Sequence, residues 1–215
     1  MTTAPTLFGA RYSVYTRIAR LTLAEKGADC RLEEVDVFAP GGPPPDHAAR
    51  HPFGRIPALE HDGLSLYETG AIARYVDEAF PGPALQPADP TARARMNQIV
   101  SIMDSYAFRT LVWDVFVERV GGPARGRRPD EARIAGALPR AATILQSIDA
   151  IRGDAPWFAG AALSLADLWA LPMLVLFRLA PEGADALRRL PRLTTWLSAM
   201  HERPSVRATR FPIEG

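Results

Sequence analysis

The stretch from His51 to Gly70 limits what this chain can fold into. Asp62-Gly63 separates two short apolar runs, Ile56–Leu59 and Leu64–Tyr67, and such a pair is a hairpin signal. Pro57 falls inside the first run. A proline cannot donate to a strand ladder, so it belongs at an edge or a bend, where the cis form is also accessible. Glu68-Thr69 then opens an apolar-periodic segment, and a helix starting there leaves N–H groups without intrahelical partners. An edge backbone, a proline bend and a helix N-terminus in one short stretch form a cradle for a peptide-like ligand bearing a carboxylate.

The elements before this stretch read as β-α-β. Thr6–Gly9 is a short apolar run. Ser13 precedes a helical pattern carried by Ile18, Leu21 and Leu23 and stopped by Gly27. Cys30–Val37 alternates as a strand, with Val35 and Val37 on one face. A β-α-β order implies a right-handed parallel crossover. The connection Ala39–Pro45, rich in proline and glycine, cannot be regular.

Proline and glycine concentrate again from Phe80 to Pro90, which marks a linker. Beyond it the pattern is helical throughout. One long helix is expected from Thr91 to about Val120, and another over Glu131–Ile151 that Pro139 kinks or restarts. Ser164 is an N-cap with Asp167 at N3, an aspartate variant of the capping box, ahead of a helix apolar on all sides. Pro191–Arg203 forms a last amphipathic helix. The organisation is therefore a small α/β domain over residues 1–80, a linker over 81–90 and an all-helical domain over 91–215.

Composition excludes several functions. With 25 Lys+Arg against 24 Asp+Glu, the net charge of +1 gives no nucleic-acid footprint. The single cysteine, Cys30, allows no disulfide framework and no CxxC pair, and it reads as a small core residue. No metal site is expected. The longest apolar run, Leu168–Phe177, is too short to span a bilayer and contains a proline. A soluble cytoplasmic protein without a membrane partner is the expectation.

In this order and spacing the residues resemble the cytosolic glutathione transferase family. The resemblance is carried by Leu7-Phe8-Gly9, by Ser13–Arg17 opening the first helix, and by His51–Pro57 against the family's NP(F/Q)GKVP segment. It is also carried by Leu66–Thr69 with Ala71-Ile72, by Leu163–Asp167, and by Glu202–Ser205. It implies a thioredoxin-like N-terminal domain, an all-helical C-terminal domain, a homodimer, and glutathione as co-substrate. The serine-type, phi-like branch fits best, because Leu7-Phe8 stand where tyrosine-type members carry Tyr.

The implied activity is conjugation of glutathione to small hydrophobic electrophiles in detoxification, with peroxidase as a side activity. By this resemblance Ser13 is the catalytic hydroxyl, and its plain alternative is an N-cap. Tyr12 is the nearest other donor, or a residue of the electrophile pocket with Met103 and Tyr106. Glu68 and Thr69 would hold the γ-glutamyl end. Ile56 would pair through its backbone with the cysteinyl part, with Pro57 fixing that edge, and Arg55 would meet the glycyl carboxylate. Asp104 would reach the glutathione of a partner subunit or serve structure. The basic residues that phi members carry in the preceding loop have no counterpart in Gly41–Asp46; His47 is a substitute or an exposed polar residue. That gap leaves an alternative function: a non-catalytic binding or regulatory protein of the same fold.

Overall fold

A computed structural model describes residues 3–214. The chain divides into two compact units. One runs up to Ala84 and takes back the chain from Arg203; the other is Leu85–Glu202.

The first unit contains β1 (Thr6–Gly9), α1 (Val14–Glu25), β2 (Arg31–Glu34), α2 (His47–Arg50), β3 (Ala58–His61), β4 (Leu64–Tyr67) and α3 (Thr69–Ala79). Its sheet has the order β2-β1-β3-β4, with β1 parallel to β2 and β3 antiparallel to both neighbours. This is the thioredoxin-like arrangement that the β-α-β start and the following hairpin predict. At the hairpin Asp62 (φ 47°) and Gly63 (φ 82°) both have positive φ, as a two-residue turn matched to strand twist requires. Leu7 and Leu59 from the sheet, Ala19 and Leu23 from α1, and Ile72 and Val76 from α3 form one buried cluster. Each large side chain in it contributes about 1.5–3 kcal/mol by leaving water.

Two local expectations are corrected, and one short helix is added. The strand expected over Cys30–Val37 shrinks to Arg31–Glu34, because its partner β1 ends where Gly9 faces Glu34. The strand expected to begin at Ile56 begins at Ala58, preceded by a cis Ile56-Pro57 bond. Helix α2, with four residues, is too short for any periodicity to announce it.

The second unit is helical: α4 (Pro90–Ile102), a π-helical segment (Met103–Gly121), α5 (Glu131–Arg152), α6 (Leu165–Leu179), α7 (Pro181–Arg188) and α8 (Pro191–His201). Asp89 caps α4 by accepting from the Ala92 N–H (2.7 Å). The single long α-helix expected after the linker changes winding at Met103. The wider hydrogen-bond step is visible at its end, where the Gly122 N–H donates to Val117 O at 2.6 Å. Helix α5 runs through Pro139 without a restart; Arg140 donates to the Gly136 carbonyl (2.8 Å) in the turn that proline loosens. Every residue of α6 from Leu165 to Phe177 is buried.

The capping box forms as its sequence predicts. The Asp167 carboxylate accepts from the Ser164 N–H (2.9 Å) and hydroxyl (2.9 Å), the Phe158 N–H (3.0 Å) and the Trp196 indole (2.8 Å). Asp167 is therefore structural. Burial pushes its carboxyl up, and these donors oppose that shift.

The chain from Arg203 on is expected among the helices of the second domain. It instead rejoins the first unit through a short helix α9 (Pro204–Ala208) and polar contacts to α1. No helix among the described residues is long and apolar enough to cross a membrane.

Candidate functional site

Strand register gathers the site. Phe8 faces Ala58, and Ala58 faces Tyr67. Neighbouring strands lie about 4.8 Å apart, so three chain segments meet side by side at one end of the sheet. They are Gly9–Ser13 leaving β1, Ile56-Pro57 entering β3, and Glu68-Thr69 leaving β4. Helices α1 and α3 both begin there, and each directs the positive end of its dipole to that end.

Ser13 is the N-cap of α1 and is half-buried. Its N–H donates to Ala10 O (3.0 Å), its carbonyl accepts from the Arg17 N–H (2.9 Å), and its hydroxyl oxygen accepts from the Thr16 N–H (3.2 Å). Accepting through oxygen leaves the hydroxyl hydrogen able to donate outward. Capping and donation are thus compatible roles. Gly9 permits this approach of α1 to β1: a Cβ there would collide with Thr16 Oγ1 and stand 2.8 Å from Thr16 Cγ2.

Pro57 is buried, Ile56 half-buried and Arg55 exposed. His47 is wholly buried, and its Nε2–H donates to the Arg55 carbonyl (2.7 Å). This corrects the reading of His47 as an exposed residue: it clamps the backbone leading into Pro57. His51 is also buried, with its ring 5.1 Å from that of Tyr67. Burial pushes the His51 imidazole down, and Glu68 opposes the shift.

Glu68 adopts φ 68°, ψ 117°, a region that a non-glycine residue enters at a cost of about 1–3 kcal/mol. Such strain persists where a junction needs it, and here it turns β4 into α3. The Glu68 carbonyl accepts from the Ala71 and Ile72 N–H groups (both 3.0 Å), while its side chain is exposed. The Glu68 side chain makes no capping hydrogen bond to α3. Thr69, its first residue, is buried.

Tyr12 is half-buried beside Ser13, and its hydroxyl donates to Asp36 Oδ1 (2.6 Å). Burial first, then Asp36, hold the phenol well above its ordinary range. The one hydrogen that Tyr12 could offer a thiol is thus engaged, which disfavours it as an alternative to Ser13. The remaining candidates lie in the second unit. Asp104 is exposed and accepts from the Trp169 indole N–H (2.9 Å), Met103 is wholly buried, and Tyr106 is 62% exposed.

Family models for the glutathione S-transferase N-terminal and C-terminal domains match residues 7–84 and 131–199. Glutathione S-transferase F14 of Arabidopsis thaliana is 30% identical over 192 residues, covering 87% of this chain and 75% of the relative. The chain belongs to the cytosolic glutathione transferase family. It is a glutathione transferase by these relatives, with the thioredoxin-like and helical parts of that fold. A structure of glutathione S-transferase I from maize, in complex with an atrazine glutathione conjugate, superposes with a TM-score of 0.84 at 27% identity, covering 96% of each chain. A stringent starvation protein A homolog of Pasteurella multocida is 28% identical over 180 residues, covering 84% of this chain and 77% of that protein.

Sequence reasoning passed over Gly9 as a steric requirement, His47 as a backbone clamp and Asp36 as the partner of Tyr12. The glycine is visible in the motif Leu7-Phe8-Gly9. The other two depend on contacts that no local pattern announces.

Proposed function

We propose that this transferase conjugates glutathione to small hydrophobic electrophiles, with peroxidase activity toward organic hydroperoxides as a secondary reaction. The observation that carries this reading is the convergence of Ser13, the Ile56-Pro57 edge and Glu68-Thr69 at one end of the sheet. In it, Ile56 aligns the cysteinyl backbone of glutathione as an added strand, beside the bend at Pro57. The Glu68 carboxylate takes the γ-glutamyl ammonium, and the Thr69 N–H and hydroxyl take its carboxylate at the start of α3. Arg55, exposed and planar, suits the glycyl carboxylate.

Chemistry requires the thiolate. A free thiol near pKa ~8.5 is only a few per cent ionised at neutral pH. Lowering it by two units takes about 2.7 kcal/mol. A hydroxyl donating to a charged sulfur supplies about 1.5–3 kcal/mol and a helix N-terminus about 0.3–1 kcal/mol. Ser13 at the start of α1 accounts for a shift of that size. The proton leaves to solvent, the sulfur forms the new bond to carbon, and the electrophile's leaving group departs with its electron pair. Within the second unit Tyr106, with its ring exposed, suits an apolar electrophile better than the wholly buried Met103; within the first, Tyr12 offers ring surface beside Ser13. Asp104 we assign to the glutathione of a partner subunit, in a cytoplasmic homodimer. Support for the dimer comes from Phe53, 69% exposed beside Tyr67, 39% exposed.

The test is a conjugation assay on the wild type and Ser13→Ala. The variant is expected to lose about 10- to 100-fold in kcat/KM, the worth of one charged hydrogen bond. Full activity in Ser13→Ala removes that serine from the reaction. The starvation-protein relative and the loop lacking basic residues favour one second reading, a non-catalytic binding protein. Wild type that binds glutathione but turns over no electrophile would establish it.

A further inference from the structure

Three side chains of α1 grip the end of the chain. Arg17 is wholly buried; its guanidinium meets Glu214 Oε1 (2.6 Å), lies 4.4 Å over the Phe211 ring and donates to Val206 O at 3.5 Å. Arg20 donates to the carbonyls of Ala208 (3.1 Å) and Thr209 (3.4 Å). Glu25 accepts from Arg203 (2.8 and 2.5 Å) and from the Ser205 hydroxyl. The Glu214 oxygen that meets Arg17 also accepts from the Phe211 N–H (2.7 Å), so one atom closes the terminal turn and anchors it to the helix.

Burying a guanidinium costs several kcal/mol, and an apolar pair of similar volume would fasten the strap at least as firmly. Burial pulls the Arg17 guanidinium down to about 10, with Glu214 opposing the shift. The charged pair therefore needs a reason other than stability. Position supplies one. Arg17 lies one turn beyond Ser13, and its N–H holds the Ser13 carbonyl. In this turn the buried Thr16 hydroxyl has no partner among the described residues. The Ser13 cap and the Arg17–Glu214 pair are two directional tethers of this turn.

We propose that the Arg17–Glu214 pair is a positioning device that sets the direction of the Ser13 hydroxyl through the first turn of α1. The strap from Arg203 to Glu214 thereby tunes thiol activation while leaving glutathione binding to β3, β4 and α3. This rests on Ser13 being the donor to the thiol.

The experiment uses the full chain as wild type, Ser13→Ala, the double substitution Arg17→Met with Glu214→Gln, and Glu214→Ala. The double substitution leaves no unpaired buried charge. Glu214→Ala is the second route to the same question, since removing a half-buried residue near the chain's end lets water reach Arg17. Ultraviolet absorbance of the bound thiolate is followed against pH, together with kcat, KM for glutathione and thermal melting. Both Glu214 variants are expected to raise the apparent thiol pKa by about one unit and lower kcat at neutral pH about threefold, with KM for glutathione within about twofold of wild type. A thiolate titration and kcat that stay at wild-type values in either folded Glu214 variant, while Ser13→Ala loses the thiolate, overturn the proposal alone; a change only in melting temperature is that same result. A wild type that binds glutathione without a thiolate signal, or a Ser13→Ala that keeps one, overturns both the role of Ser13 and the positioning role built on it.

Discussion

Ser13 serves the fold and the proposed chemistry with different parts of one hydroxyl: the oxygen caps Thr16, and the hydrogen remains for sulfur. Glu68 separates similarly, its backbone making the strained junction and its exposed carboxylate facing outward. Glu68→Gln keeps that backbone and removes the charge. It is expected to raise KM for glutathione about 10- to 100-fold while sparing kcat, in steady-state kinetics with glutathione varied. Cys30 stands apart from this chemistry. Burial pushes its thiol up to about 11, with Arg20 and a backbone hydrogen bond opposing the shift. Alkylation of Cys30 at pH 7 should be slower than that of a free cysteine, followed by mass spectrometry, and Cys30→Ala should conjugate at the wild-type rate. At this scale the sequence made Ser13, Glu68 and Thr69 legible because each sits at a helix start that local pattern reveals. It left the pairing of Arg17 unread, because its partner is Glu214, 197 positions away.

Elements were legible where a turn or cap is encoded in adjacent residues. Asp62-Gly63 specifies the hairpin, and Ser164 with Asp167 specifies the start of α6. The change of winding at Met103 was not, since the apolar residues from Leu111 to Val117 occupy nearly every side and no stripe reports the step. Asp167→Ala is expected to destabilise the second unit by about 3–5 kcal/mol, read in urea unfolding, because the Trp196 and Phe158 donors lose a buried acceptor. The strap has its own pH signature. Burial raises the Glu25 carboxyl, but the Arg203 and Ser205 hydrogen bonds outweigh it, so Glu25 titrates below its ordinary 4.5. A carboxyl lowered by folding stabilises above its unfolded value and loses that contribution as pH falls through the folded one. Wild type should therefore lose stability on acidification below pH 4.5 more steeply than Glu25→Gln, in denaturant melts repeated across pH.

At the scale of the molecule, the order β-α-β, hairpin, helix, then helices only, was enough to name the architecture. The return of the last segment to the first unit was not readable, since the sequence from Arg203 on is short and its contacts to α1 are distant in sequence. The homodimer expected from the resemblance is supported by exposed Phe53 and Tyr67; Phe53→Asp should shift the molar mass in light scattering toward the monomer. The central claim is that one end of this sheet holds glutathione, and calorimetric titration of the full chain with glutathione tests it most directly. Saturable binding in the micromolar to about millimolar range, weakened in Glu68→Gln, is the predicted result; no binding heat at several times about 1 mM glutathione would contradict it.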